Sequence, residues 1–277
     1  MQRLLMRIGY RWVGATAATA AVVFLIVWYS LHPLLGPVRA LLLSLLLATT
    51  LTLSFAGILV LGVLAGPLHE RLRSTITANA AAGHSLRHLL GSDDFPALGG
   101  WSLEPDAAVA LVRAVEQHQP QRILELGPGA STELLLRCLP AGAQLVALEH
   151  DKGWAQHVRE QVRERTGRSP DVRHAPLTSV AIDGWRGKWY DVRAMEELSD
   201  IDFVVVDGPP GPQRSLARFP ALPLSEPLLA EQAHIFVDDS ARPDEGRILG
   251  RWLQRPGVRL VGGGPNWALL VRETSAD

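Results

Sequence analysis

The chain has 277 residues, 27 of them basic and 28 acidic, for a formal net charge of −1, and 47% of it is hydrophobic. The charge is split: residues 1–69 hold four arginines (Arg3, Arg7, Arg11, Arg39) and no acid, and the remainder holds 23 basic against 28 acidic residues. A net negative domain carries no electrostatic footprint for nucleic acid, and the one cysteine, Cys138, excludes a disulfide within the chain and suits a reducing compartment.

Val13 to Leu31 is uncharged for 19 residues. As a helix it reaches about 28 Å, close to the thickness of a bilayer's hydrocarbon. Ala40 to Leu68 is a second uncharged run, with Pro33, Gly36 and Pro37 between the two. Trp12, Trp28 and Tyr29 stand at the ends of the first run, where amphipathic rings favour the interface. The pattern predicts a two-helix transmembrane hairpin over residues 1–68. Three arginines precede it, Arg71 and Arg73 follow it, and Arg39 alone lies in the turn. The positive-inside rule then predicts a two-pass membrane protein whose N-terminus and following domain face the cytoplasm. The competing reading is a cleaved signal peptide and one span, but the first run is too long and no small-x-small site follows it. Gly62 and Gly66 form a Gly-x-x-x-Gly, a spacing common by chance in apolar runs. Residues 69–100 read as a juxtamembrane linker. Leu72, Ile76, Leu86, Leu89 and Leu90, interspersed with Arg71, Arg73 and Arg87, predict either a helix lying on lipid or a solvated connector.

About 200 residues remain, enough for one α/β domain, taken as 101–277. Pro105 to His118 is an amphipathic helix with Ala108, Leu111, Val112 and Val115 on one face. A strand, 122–126, then runs into Gly127-Pro128-Gly129, with Glu125 two positions before the first glycine. Such a turn brings bare backbone amides and a helix N-terminus up to a ligand. A nicotinamide-binding turn wants a third glycine at 132, where Thr132 stands. Helix 130–139 follows, with Cys138 in its apolar face. The second strand, 144–148, ends in Glu149, 22 residues beyond Gly127, where a carboxylate can accept from both hydroxyls of a ribose. Helix 153–165 and strand 171–174 come next. Residues 178–200 are an insertion with Trp185, Lys188, Trp189 and Tyr190, either a substrate wall or surface packing. Two apolar strands, 202–206 and 234–237, end in Asp207 and in Asp238-Asp239. Such runs mark parallel strands buried on both faces, and their carboxyl ends form a ligand crevice, so the three aspartates are expected to converge. A helix (245–253), a strand near 259–261, a glycine turn and a strand over 267–271 complete the chain.

From about residue 101 to 272 the chain resembles class I S-adenosylmethionine (SAM)-dependent methyltransferases. The resemblance is carried by Glu125-Leu126-Gly127-Pro128-Gly129, by Glu149 and by the closing hairpin. It is most similar to the small divalent-metal O-methyltransferases, such as catechol O-methyltransferase and the macrolide-sugar enzymes. The resemblance implies a Rossmann-like α/β fold, with a seven-stranded, mostly parallel sheet whose last strand is antiparallel, preceded here by the two transmembrane helices. It implies SAM bound by Glu125, Gly127, Gly129, Ser131, Thr132, Glu149, His150, Ala175 and Asp207. It also implies magnesium held by Asp207, Asp238 and Asp239, with Asp207 and Asp239 in the catalytic role. A hard cation there would hold two substrate oxygens and lower a hydroxyl's pKa. Strand-end acids in this fold also contact SAM, cap helices or orient substrate without metal.

Two departures stand out. The catechol enzymes carry a lysine base three residues beyond the first of these aspartates, and here that residue is Pro210. The chain's two lysines are Lys152 and Lys188, so Lys188 and His174 are the remaining base candidates. The loop 174–177 lacks the acid that often receives adenine. Arg214 and Arg218, in the Pro-rich stretch 209–223, either grip an anionic substrate, close as a lid, or pack the next helix down. The expectation is a membrane-anchored SAM-dependent methyltransferase acting on a hydroxyl of a small or amphiphilic acceptor, such as a lipid-linked sugar or a quinone-like phenol. The alternatives are an aminopropyl-transferring synthase, whose paired polyamine-binding acids are absent, and a non-catalytic SAM-binding membrane protein, for which the missing lysine speaks.

Overall fold

The structure, a computed structural model, describes residues 2–99, 102–212 and 215–274, with the side chains of 2–18, 59–64, 66–68, 71 and 72 outside the description. Arg214 and the surroundings of Gly62, Gly66 and Arg71 therefore lie outside it. The chain divides into two compact units, Met1–Ile76 and Thr77–Asp277.

Helix α1 (Gln2–Leu35) and helix α2 (Pro37–Leu90) are joined by Gly36 alone, at φ +79°. Glycine takes that conformation without steric cost, and Pro37 is suited to the first turn of the next helix. Among the described residues, Pro37–Ile58 is long and apolar enough to cross a membrane, and Thr19–Leu35 is shorter. One candidate span thus stands where two were expected. The first expected run begins in residues whose side chains are outside the description, and its described part falls short of a bilayer. Val22, Leu25, Ile26, Leu42, Leu46 and Leu53 are all exposed.

The stretch expected as a linker, 69–100, is mostly helix. Helix α2 runs unbroken to Leu90 and ends at Gly91, φ +62°. Ala82, Leu86, Leu89 and Leu90 share one helical face. Ala82 and Leu86 are buried in the same core as Leu103, Leu111 and Val115. The described side chains from 73 to 81 are exposed, whereas from Ala82 on the helix packs into the core of the second unit, which begins at Thr77. Just beyond, Asp94 bonds Arg165 (2.7 Å) and Arg137 (3.2 Å), and both arginines reach the buried Glu133.

The second unit is built on α3 (Pro105–His118), β1 (Arg122–Leu126), α4 (Ala130–Cys138), β2 (Gln144–Glu149), α5 (Lys152–Thr166) and β3 (Asp171–His174). It continues with β4 (Leu177–Ile182), β5 (Trp185–Tyr190), β6 (Ile201–Val206), α6 (Ala221–Ser225), β7 (Leu229–Asp238), α7 (Pro243–Trp252), β8 (Val258–Gly263) and β9 (Trp267–Glu273). Seven strands form one sheet in the order β3-β2-β1-β6-β7-β9-β8. The first five are parallel, and β9 runs antiparallel to both its neighbours.

Alternate residues face opposite sides, and both sides are covered. Ile123, Phe203, Val205 and Phe236 pack with α3, α4 and α5. Leu124, Leu126, Val204, Val206 and Ile235 pack with Phe219, Leu222, Ile248 and Trp252. The 178–200 insertion is largely the hairpin β4–β5, closed by Asp183 and Gly184, both at positive φ. That pair matches the twist of the two strands. Trp185, Trp189 and Tyr190 are buried in the second core. Strand β7 begins five residues before the expected start, at Leu229.

Candidate functional site

The strand order reverses its direction of growth between β1 and β6, which places a crevice at their carboxyl ends. Gly127 and Gly208 meet there. Gly127 sits at φ +91°, and a Cβ on it would lie 2.9 Å from the Gly208 nitrogen. A Cβ on Gly208 would lie 2.2 Å from the Tyr190 hydroxyl. Both positions therefore exclude a side chain. A Cβ on Gly129, by contrast, would meet nothing within 4 Å, so the turn is closed beneath and open above.

Glu125, next to last in β1, has no exposed surface. Its Oε2 accepts from Thr132 Oγ1 (2.8 Å), and Thr132 Oγ1 accepts from the Gly129 amide (3.0 Å). Glu125 Oε1 is buried without a partner. Burial raises its pKa to about 7, against the pull of the Ser131 and Thr132 hydroxyls. Trp154 Nε1 donates to the Pro128 carbonyl (2.9 Å) and braces the turn from α5.

Glu149 ends β2, 4% exposed. Its Oε1 accepts from the Asp151 amide (2.7 Å) and lies 2.7 Å from His150 Nδ1, while Oε2 takes no hydrogen bond among the described residues. Its backbone carbonyl accepts from the Ala175 amide (2.7 Å), and Ala175 is fully buried beside it. His174 Nε2 lies 3.2 Å from the His150 carbonyl. Lys188 Nζ donates to Ser179 Oγ (3.0 Å) across the hairpin. Neither base candidate is brought to the three aspartates by these bonds.

Asp207, Asp238 and Asp239 do converge, with carboxylate oxygens within 4.8 Å of one another. Burial, together with the negative charges around them, raises Asp207 and Asp238 to about 7. Asp238 Oδ1 is buried without a partner. Asp239 adopts the left-handed region at φ +61°, a conformation that aspartate tolerates and that functional sites often hold.

A cation already stands among them. Arg218, 6% exposed, donates from Nη2 to Asp207 Oδ1 (3.0 Å) and to Asp239 Oδ2 (3.1 Å), and from Nη1 to the Asp238 carbonyl (3.1 Å). Its Nε lies 3.8 Å from Glu245, and Arg242 also reaches Asp239 (2.8 Å). Three carboxylates and water suit a hard cation by chemistry. In this arrangement they do not fit one, because the guanidinium occupies two of the three and would repel it. A cavity of about 570 Å³ adjoins the cluster, lined by Pro209, Pro210, Ala217, Arg218, Arg242 and Arg247 among others.

No protein-family model matches the sequence, and no curated protein matches it. Solved structures do. An O-methyltransferase from Bacillus cereus, in complex with S-adenosylhomocysteine (SAH), is 18% identical with a TM-score of 0.50, covering 70% of this chain and 91% of its own. The fold is that of the class I methyltransferases. The O-methyltransferase TomG from Streptomyces achromogenes, in complex with SAM, matches at 19% identity and TM-score 0.48, covering 71% of this chain and 90% of its own. A methyltransferase from Geobacter sulfurreducens matches at 16% and 0.45, covering 60% of this chain and 78% of its own.

Three features of the site escaped the sequence. Arg218 was read as a grip, a lid or packing, not as the counter-ion of the aspartates, because its partners lie 11 and 21 residues away on other elements. Tyr190, expected only within a substrate wall or surface packing, is buried with its hydroxyl close to Gly208 and without a hydrogen-bond partner among the described residues. The Trp154 brace has no motif of its own.

Proposed function

We propose that the second unit is a SAM-dependent methyltransferase that acts on a hydroxyl of a small acceptor. The observation that carries this is the Gly127-Pro128-Gly129 turn at the switch point, open above Gly129 and flanked by the buried Glu125, whose Oε2 is held by Thr132 and whose Oε1 has no hydrogen-bond partner among the described residues, and by a strand-end carboxylate, Glu149. Buried polar atoms are normally paired, and Glu125 Oε1, buried without a hydrogen-bond partner among the described residues, has the polarity to receive a cationic amino group. Glu149 Oε2 suits ribose hydroxyls, and the N-terminus of α4, just beyond the turn, suits a carboxylate. The Bacillus cereus protein of the same fold, named an O-methyltransferase and solved with SAH, supports the cofactor and the hydroxyl acceptor.

SAM supplies an activated methyl group when bound. The chain's own task is to hold the acceptor oxygen in line and to take its proton. Asp207, with 26% of its side chain exposed and its pKa near 7, is the carboxylate suited to receive that proton at neutral pH. Asp239, held by Arg218, Arg242 and Asn266 (3.4 Å), positions the cluster. The exposed apolar side chains of Thr19–Ile58 support attachment to a bilayer, with two passes and a cytoplasmic catalytic unit as the form the arginine distribution favours. A membrane site favours an amphiphilic acceptor, and the Pro-lined cavity is compatible with one.

Calorimetric titration of the full chain in detergent with SAH tests the reading. Micromolar binding is expected, weakened about 10- to 100-fold in Glu149→Ala by loss of hydrogen bonds to a charged acceptor. A folded protein that ignores SAH removes the reading.

A further inference from the structure

Resting on that reading, we propose that Arg218 takes the place of a divalent cation in this crevice, so that the acceptor oxygen meets a guanidinium and methyl transfer needs no metal. The argument starts from contact. Arg218 touches all three aspartate residues, two through their carboxylates and one through its carbonyl. A guanidinium cannot be deprotonated in a protein, so this charge does not withdraw at any working pH. A second positive ion among the same oxygens would face its repulsion at short range and in a poorly screened setting.

The placement of Arg218 does not depend on the carboxylates alone. Its carbonyl accepts from the Ala221 amide (3.1 Å), and the next residue, Phe219, is 2% exposed in the second core. The Phe219 carbonyl accepts from Trp252 Nε1 (3.0 Å). The backbone is thus pinned just ahead of α6, and the side chain leaves a fixed point. One Nη1 hydrogen and the Nε–H are not used in hydrogen bonds, and the residue lines the cavity, so an acceptor oxygen has a donor to meet.

The substrate class follows from the charge. A single delocalised cation lowers a hydroxyl's pKa less than a bound divalent ion does. With proline instead of lysine at position 210 and a guanidinium instead of a divalent ion beside Asp207 and Asp239, the site suits an acceptor that is already acidic. That means a phenol or an enol, not an aliphatic alcohol.

The test is manganese binding by the full chain in detergent, followed by the electron paramagnetic resonance of free Mn²⁺, for wild type, Arg218→Gln and Arg218→Lys. Wild type and Arg218→Lys are expected to leave millimolar Mn²⁺ free, and Arg218→Gln, with its carboxylates uncompensated, to bind one ion at least about tenfold tighter. Stoichiometric uptake by wild type at about 0.1 mM overturns the inference, as does an Arg218→Gln protein that folds but gains no affinity. If Arg218→Gln fails to fold, the wild-type and Arg218→Lys titrations decide. SAH titration of the same samples in EDTA separates the two readings: lost SAH binding sinks the methyltransferase assignment, and Mn²⁺ uptake by wild type sinks only the role of Arg218.

Discussion

The β1–β2 half of the crevice and the β6–β7 half are made of the same materials, strand-end acids and glycine, and are finished differently. In the first, Glu125 Oε1 is buried and unpaired, and the space above Gly129 is empty. In the second, Asp207 and Asp239 are tied to Arg218, and Asp239 also to Arg242, although Asp238 Oδ1 is buried without a hydrogen-bond partner among the described residues. A half with unmet polar groups is completed by what binds there. A half with its own counter-ion is organised beforehand and loses little on reaction. On the proposed reading, the β1–β2 half depends more on occupancy, and the β6–β7 half more on the chain's own arginines.

The sharpest way to break this contrast is within the turn. Gly127→Ala places a Cβ 2.9 Å from the Gly208 backbone at φ +91° and is expected to cost about 2–4 kcal/mol in urea unfolding. Gly129→Ala, with open space above it, is expected to cost under about 1 kcal/mol while blocking SAH. Equal costs would mean that the turn is closed on both sides.

Next in size is a pH effect. Glu125 is raised from 4.5 to about 7 by burial, so the fold binds its proton more tightly than the unfolded chain does. Its contribution to stability is complete below pH 4.5 and is lost as pH rises through 7, on the order of 2–3 kcal/mol. Glu125→Gln should flatten that part of the stability profile. A bound ammonium should also expel the proton, so SAM binding near pH 6 should release protons, seen as a buffer dependence of the calorimetric heat. A variant with an unchanged profile would show that Glu125 is not strained.

The smallest expected effect is Tyr190→Phe. The hydroxyl is buried without a partner, so removing it should leave unfolding unchanged or raise stability by up to about 1 kcal/mol. A clear loss of stability in the absence of ligand would mean that the hydroxyl is satisfied after all.

What could be read in advance divides along the same line. The strands of the sheet and helix 105–118 are legible because burial on both faces, or on one helical stripe, writes itself into neighbouring residues. Gly127, Glu149 and the three aspartates are legible because parallel strands deliver their last residues to one edge. The hairpin β4–β5 was passed over as an insertion, although Asp183-Gly184 and the spacing of Trp185 and Trp189 carry a hairpin's signature. Arg218 was assigned no counter-ion role because an arginine's partners are chosen in space. The end of α2 was read as a linker for a related reason: Leu86 looks like any leucine of an amphipathic helix until its groove exists.

The docking of that helix end has a practical side. A protein trimmed to start at residue 101 would lack Ala82 and Leu86, exposing the part of the first core that they cover, and would lack Asp94, leaving Arg137 and Arg165 to share the buried Glu133 alone. Proteolysis or recombinant truncation that aims to release the second unit folded should therefore cut ahead of Ala82, and products cut between residues 86 and 100 should aggregate.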